Sequence, residues 1–122
     1  MLSHIVVSIL LCSASCEPAG IRVWDGDSIW LGTTWQSEAV RIFNIDAPEI
    51  KGLCAYESGL ALQSKIRLAE LLKGRRVEIL RQGTDRYDRT LAAIRVEGRD
   101  VGDILVSEGL ARTWAGRREP WC

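Results

Sequence analysis

Imidazole is nearly missing from this chain of 122 residues, whose one histidine is His4. His4 lies in a stretch expected to be removed as a leader. A Ser-His-Asp triad, a Cys-His pair and a zinc or iron site built on imidazole are therefore excluded from the mature protein. Acid-base work falls to carboxylates, Arg, Lys and Tyr. Long hydrophobic runs are missing too. The longest, residues 5–12 (I-V-V-S-I-L-L-C), is too short to cross a bilayer. No internal repeat or low-complexity tract is visible, and the formal net charge is zero, which on its face argues against a nucleic-acid binder.

That zero hides an asymmetry. Residues 21–60 carry three basic against six acidic side chains, whereas residues 61–122 carry thirteen against nine. An acidic front half facing a basic back half suits a site that joins a metal to a phosphate, although a solvated charged surface accounts for the same numbers. With 47% hydrophobic and 26% charged residues, the composition is that of one soluble globular domain. The apolar run at 5–12 and the small residues Ser13-Ala14-Ser15 read as a secretory leader over 1–15, with the domain over 20–122. The leader lacks Lys or Arg, so an ordinary first strand is the alternative. Secretion or a periplasmic location follows from the leader. Anchoring as a lipoprotein through Cys16, or a cytoplasmic location without a leader, are the other readings.

From residue 21 the pattern I-R-V-W-D-G-D-S-I-W-L alternates, placing Val23, Asp25, Asp27, Ile29 and Leu31 on one face. An Asp at the rim of an inner face needs a cation or a donor, so Asp27 is a candidate ligand, while Asp25-Gly26 reads as a turn or bulge. Residues 40–49, V-R-I-F-N-I-D-A-P-E, read as a buried strand ending in a turn that Pro48 makes rigid. Arg41 inside that run needs a partner at the strand's mouth or an anionic ligand. A helix is expected over 57–72 from the spacing of Leu62, Ile66, Ala69 and Leu72, closed by Lys73-Gly74. Strands follow at 75–80 and 90–96. Asp100 caps a short helix that Gly109 stops, and residues 110–114 read as a last strand. Five short strands with one helix between the third and fourth make a mainly β, α+β fold, a five-stranded OB-type Greek-key barrel with attached helices.

The motifs D-G-D-S-I at 25–29, R-I-F-N-I-D-A-P-E at 41–49 and D-R-Y-D-R at 85–89 occur in that order, and D-V-G-D-I-L-V-S-E-G-L-A follows at 100–111. In this the chain resembles the staphylococcal nuclease (thermonuclease) family over residues 21–112. The resemblance implies an OB-fold nuclease that uses Ca²⁺ to cleave DNA and RNA phosphodiesters, leaving 3′-phosphates, and that works as a monomer. It puts Asp27, Asp46 and the Ala47 carbonyl on the calcium, a hard ion that takes oxygen ligands. Glu49 falls on the general base, Arg41 and Arg89 on the two arginines that grip the scissile phosphate, and Tyr87 and Asp85 on substrate. Asp88 stands where the family usually has Gly, and Ala47 lacks the hydroxyl of the usual Thr. The competing functions are a catalytically silent OB module that binds nucleic acid or a protein partner, and an exported structural domain.

With Cys12 leaving in the leader, three cysteines remain, which allow three single bridges. A Cys54–Cys122 disulfide is expected, with Cys16 spare. Asp88 is expected in the left-handed region, and its carboxylate is expected to compete with phosphate for Arg89.

Overall fold

Alternating side chains build the wall of a barrel, shown by a computed structural model that describes residues 4–34 and 36–122. In chain order the elements are β1 Ile5–Cys12, β2 Cys16–Asp25, β3 Ser28–Leu31, β4 Glu38–Ile42, β5 Ile45–Asp46, α1 Ala55–Leu72, β6 Arg76–Thr84, β7 Thr90–Val96, β8 Arg99–Asp100, α2 Val101–Ser107 and β9 Arg112–Thr113. The large sheet runs β4-β3-β2-β1-β6-β7-β8 and is closed by a β4–β7 pairing, so six strands make the barrel and β8 extends its edge. Neighbours are antiparallel except β1–β6 and β4–β7, which are parallel. Ile21, Val23, Ile29, Val40, Ile42, Val77 and Ile94 fill the interior. This is the mainly β, OB-like barrel with attached helices that the sequence implies.

The sixth strand is the segment read as a leader. In Ile5–Cys12 every second side chain turns inward, Val7 and Ile9 are buried, and the strand pairs with β2 along its whole length. An eight-residue apolar run that alternates in exposure satisfies a barrel wall as well as it would a leader, and here the barrel uses it. The hairpin that follows places Cys12 opposite Cys16, and the two form a disulfide. Cys16 is thus paired and not spare, a correction that follows from β1 standing beside it in the hairpin. The Cys54–Cys122 disulfide is present as expected.

Two element readings also change. The strand read through 40–46 breaks after Ile42, because Asn44 adopts φ 69°, which Asn tolerates better than most residues, and the chain restarts as the two-residue β5. On α1, Leu62 and Ile66 are 53% and 44% exposed. Ala69 and Leu72 are buried as expected, but the stripe runs on through Ala61, Ser64, Lys65 and Leu68. Small residues on that stripe let the helix lie close to the barrel. A Cβ on Gly26 would clash with Ser64 Oγ and meet the Ala47 Cβ at 3.0 Å, so the β2–β3 turn, α1 and the loop after β5 touch only because Gly26 has no side chain. As expected, Asp100 caps α2, its Oδ1 accepting the Asp103 N–H at 3.0 Å. Residues 110–114 contribute β9, which pairs with β5.

Candidate active site

The close approach at Gly26 gathers acidic groups at one end of the barrel. The β2–β3 turn supplies Asp25 and Asp27, β5 supplies Asp46, the loop after it supplies Ala47 and Glu49, and α1 supplies Glu57. Asp25, Asp27, Asp46 and Glu57 are all buried. The Asp27 carboxylate accepts the Ala47 N–H at 2.8 Å and the Ser28 hydroxyl at 3.2 Å. Arg41 Nη2 stands 3.4 Å from its Oδ2. Asp25 accepts the Asp27 N–H at 3.1 Å. Burial first, then the neighbouring Asp27 charge, pushes the Asp25 carboxyl up to about 8. Burial also raises Asp46, against the pull of the Arg118 guanidinium.

The two arginines taken from the sequence arrive from different strands. Arg41 on β4 lies opposite Ser28 on β3 and donates through Nη1 to the Ile42 carbonyl at 2.7 Å. Arg89 follows a turn at 85–89 that Asp85 organises: Asp85 Oδ1 accepts the Tyr87 and Arg89 N–H groups, both at 2.9 Å, and Oδ2 accepts Arg89 Nε at 2.8 Å. These donors outweigh burial and hold Asp85 below its ordinary value. Arg89 Nη1 reaches the Ser28 hydroxyl at 3.4 Å, next to the Asp27 carboxylate that Arg41 faces, so both arginines reach the β2–β3 turn. Asp88 takes φ 63°, as expected, but it is exposed, and the carboxylate that engages Arg89 is Asp85. The partner of Arg89 is therefore Asp85 and not Asp88, and Asp85 orients the loop and the arginine. Exposed Tyr87 lies under the Arg86 and Arg89 guanidinium groups at 5.0 and 5.6 Å. Arg41, Asp85, Tyr87 and Arg89 line one cavity of about 660 Å³ together with Trp114 and Arg118.

Glu49 lies off to one side. It opens into a neighbouring cavity of about 380 Å³ with Glu57, Arg118 and Trp121, and Arg118 borders both spaces. Asp25, Glu57 and Arg118 are the residues that sequence reasoning missed. Arg118 Nη1 donates to Asp46 at 2.9 Å and stands 3.4 Å from Glu49, while Nη2 donates to Glu57 at 2.6 Å. Glu57 also accepts the Glu49 and Leu53 N–H groups at 2.9 and 3.2 Å. Burial pushes the Glu57 carboxyl up, but these donors prevail and its value is lowered. Two fastenings hold the tail in place. Cys122 is bonded to Cys54, and Trp121 is buried under Arg112, 3.7 Å from the guanidinium carbon to the ring centroid. The final Trp-Cys and the Arg117-Arg118 pair were the available signals.

Among the described residues no three His, Cys, Asp or Glu side chains form a group able to hold a metal ion. What the site does offer is oxygen only: the buried Asp27 and Asp46 carboxylates, with the buried Ala47 donating its N–H to Asp27. Such a donor set fits a hard divalent cation that keeps most of its water, and it does not fit a soft one.

Residues 39–120 match the family model described as staphylococcal nuclease homologue. A protein of Haemophilus influenzae called an uncharacterized endonuclease is 32% identical over 96 residues, 78% of this chain and 49% of that protein. The micrococcal nuclease of Shigella flexneri is 33% identical over 108 residues, 80% of this chain and 56% of its own. Endonuclease YncB of Bacillus subtilis is 31% identical over 94 residues, 75% and 44% of the two chains. The chain thus spans about half the length of these relatives.

Proposed function

The chain belongs to the staphylococcal nuclease family, and on that premise we propose that it is a calcium-dependent nuclease that hydrolyses DNA or RNA phosphodiesters to 3′-phosphate products. The observation that carries the reading is that Arg41 and Arg89 reach the β2–β3 turn from two different strands, Arg41 at the Asp27 carboxylate and Arg89 at the Ser28 hydroxyl, and line one cavity. Two planar guanidinium forks bordering one cavity match the oxygens of a phosphate and oppose the charge that gathers on them in the transition state. Asp27, Asp46 and the Ala47 carbonyl would hold the cation, which supplies charge neutralisation at the phosphate when bound. Glu49 takes a proton from the attacking water as its oxygen bonds to phosphorus. The phosphorus–O5′ bond then breaks, the 5′-oxygen takes up a proton from solvent, and the phosphate stays on the 3′ side. Asp85 keeps Arg89 pointed at the cavity, and Tyr87 offers a ring at its edge. The two disulfides support an oxidising compartment and hence export. Function as a monomer belongs to the same reading.

A second reading has one observation in its favour: Arg118 already engages Asp46 and Glu49, the carboxylates the chemistry needs. A silent module that only binds nucleic acid would retain that pairing. Incubating the protein with labelled single- and double-stranded DNA and RNA, in Ca²⁺ or EDTA, separates the two. The nuclease cuts in Ca²⁺ and stops in EDTA. Binding without cutting in either condition establishes the module instead.

A further inference from the structure

The outer face of the barrel beyond Arg89 carries two tryptophans that the site described above does not use. Val23 and Ile29 point into the core, so Trp24 on β2 and Trp30 on β3 point outward, both half-buried. The strand register sets Trp30 between Arg22 on one side and Ala39 on the other. Because Ala39 is small, the face is hollowed there into a cavity of about 340 Å³, lined by Trp24, Trp30, Ala39, Ser28, His4 and Arg89. Arg89 and Ser28 join this hollow to the phosphate site: the Arg89 side chain borders both cavities and donates to the Ser28 hydroxyl between them.

The rings are dressed with cations. The Arg22 guanidinium carbon lies 5.3 Å from the Trp30 ring centroid and Lys65 Nζ lies 5.7 Å from that of Trp24. His4 stands at the far wall, its ring centroid 5.2 Å from the Trp24 ring. Its Nε2 is buried with no hydrogen-bond partner among the described residues. Aromatic rings interleaved with cations, next to a phosphate-binding arginine, are the physical requirements for holding a single-stranded nucleic acid. Every nucleobase has a π-face to stack, and the phosphate one linkage away is the group Arg89 would grip.

We propose that Trp24 and Trp30 form a nucleobase subsite that seats a base flanking the scissile phosphate, on the side of Arg89 away from Tyr87. The inference rests on the nuclease reading and names part of its substrate selectivity. A base has to leave the helical stack to enter the hollow, so single strands are taken in preference to duplex.

The test is a set of single-stranded DNA oligomers of one sequence, each carrying one abasic position, cut in Ca²⁺ by wild type, Trp24→Ala, Trp30→Ala and Tyr87→Ala. With wild type, the abasic position next to the cut on one side raises KM about 5- to 150-fold, the range that stacking one base on an aromatic ring carries. In Trp30→Ala and Trp24→Ala the intact oligomer already shows the raised KM and the abasic one adds nothing, whereas Tyr87→Ala keeps that penalty. A penalty that survives in both tryptophan variants overturns the subsite, as does a flat abasic scan of a wild type that cuts. If wild type cuts none of the oligomers, the nuclease reading falls and the subsite with it. Should a tryptophan variant fail to fold, Ala39→Phe fills the hollow and leaves both tryptophans in place. KM unchanged by that filling also overturns the proposal.

Discussion

The two disulfides close loops of very different length, and their loss should differ accordingly. Cys54 and Cys122 are 68 residues apart, and Cys12 and Cys16 are 4 apart. In the chain-entropy treatment, opening the long loop frees unfolded-state entropy equivalent to about 4 kcal/mol, and opening the short one about 2 kcal/mol. The long loop contains α1, β6, β7, β8, α2 and β9, so the reduced, unfolded chain gains freedom across most of the domain. For a domain of this size, a loss of that order lowers Tm by about 15 °C for the Cys54→Ser/Cys122→Ser pair and about 7 °C for the Cys12→Ser/Cys16→Ser pair. Circular dichroism melts of both double variants and wild type, without reductant, measure the two shifts directly. Adding dithiothreitol to wild type should lower Tm by close to their sum. Equal shifts, or a larger shift for the short loop, would refute the argument that loop closure dominates.

Other outcomes follow from single side chains. Hydrogen bonds from Arg81, reinforced by Thr90, lower the Glu38 carboxyl from its ordinary 4.5 despite burial, so its contribution to stability is full above that value and is lost as pH falls through the lowered one. Glu38→Gln should therefore flatten the acid side of the stability curve below about pH 4.5, seen in urea melts from pH 2 to 7. Asp88 at φ 63° should accept Gly with little change in stability, while Asp88→Ala loses about 1 kcal/mol in the same melts. Because Asp85 is the partner of Arg89, Asp88→Gly should leave KM unchanged and Asp85→Asn should raise it in steady-state kinetics. Arg118→Gln leaves Glu57 with two backbone donors, so the loss should be about 1 kcal/mol, discounted because the Arg118 side chain is 40% exposed.

What the sequence made legible was local. Asp27, Arg41 and Asp46 lie within twenty residues of one another, and alternation puts Asp27 and Arg41 at one end of neighbouring strands, although the break at Asn44 that places Asp46 was not legible. Asp85 and Arg89 share a turn, so the second arginine could be placed with them. Arg118 could not, because it reaches Glu57 across 61 residues of chain and is positioned by a disulfide and a buried Trp121. The sequence pattern favours Leu62 and Ile66 as the more apolar residues of α1, whereas the tight approach at Gly26 turns Ser64 inward instead. The segment 5–12 reads equally as a leader or a strand from composition, and only its pairing with both β2 and β6 separates the two.

Glu49 carries the central claim, since a binding module has no use for a proton acceptor. The decisive measurement is the turnover of one labelled single-stranded oligonucleotide by wild type and by Glu49→Gln, in the same Ca²⁺ buffer. A positioned general base is worth about 10²- to 10⁴-fold in rate, so the variant should fall by that factor with its fold and melting temperature retained. Turnover by Glu49→Gln equal to that of wild type would contradict the account.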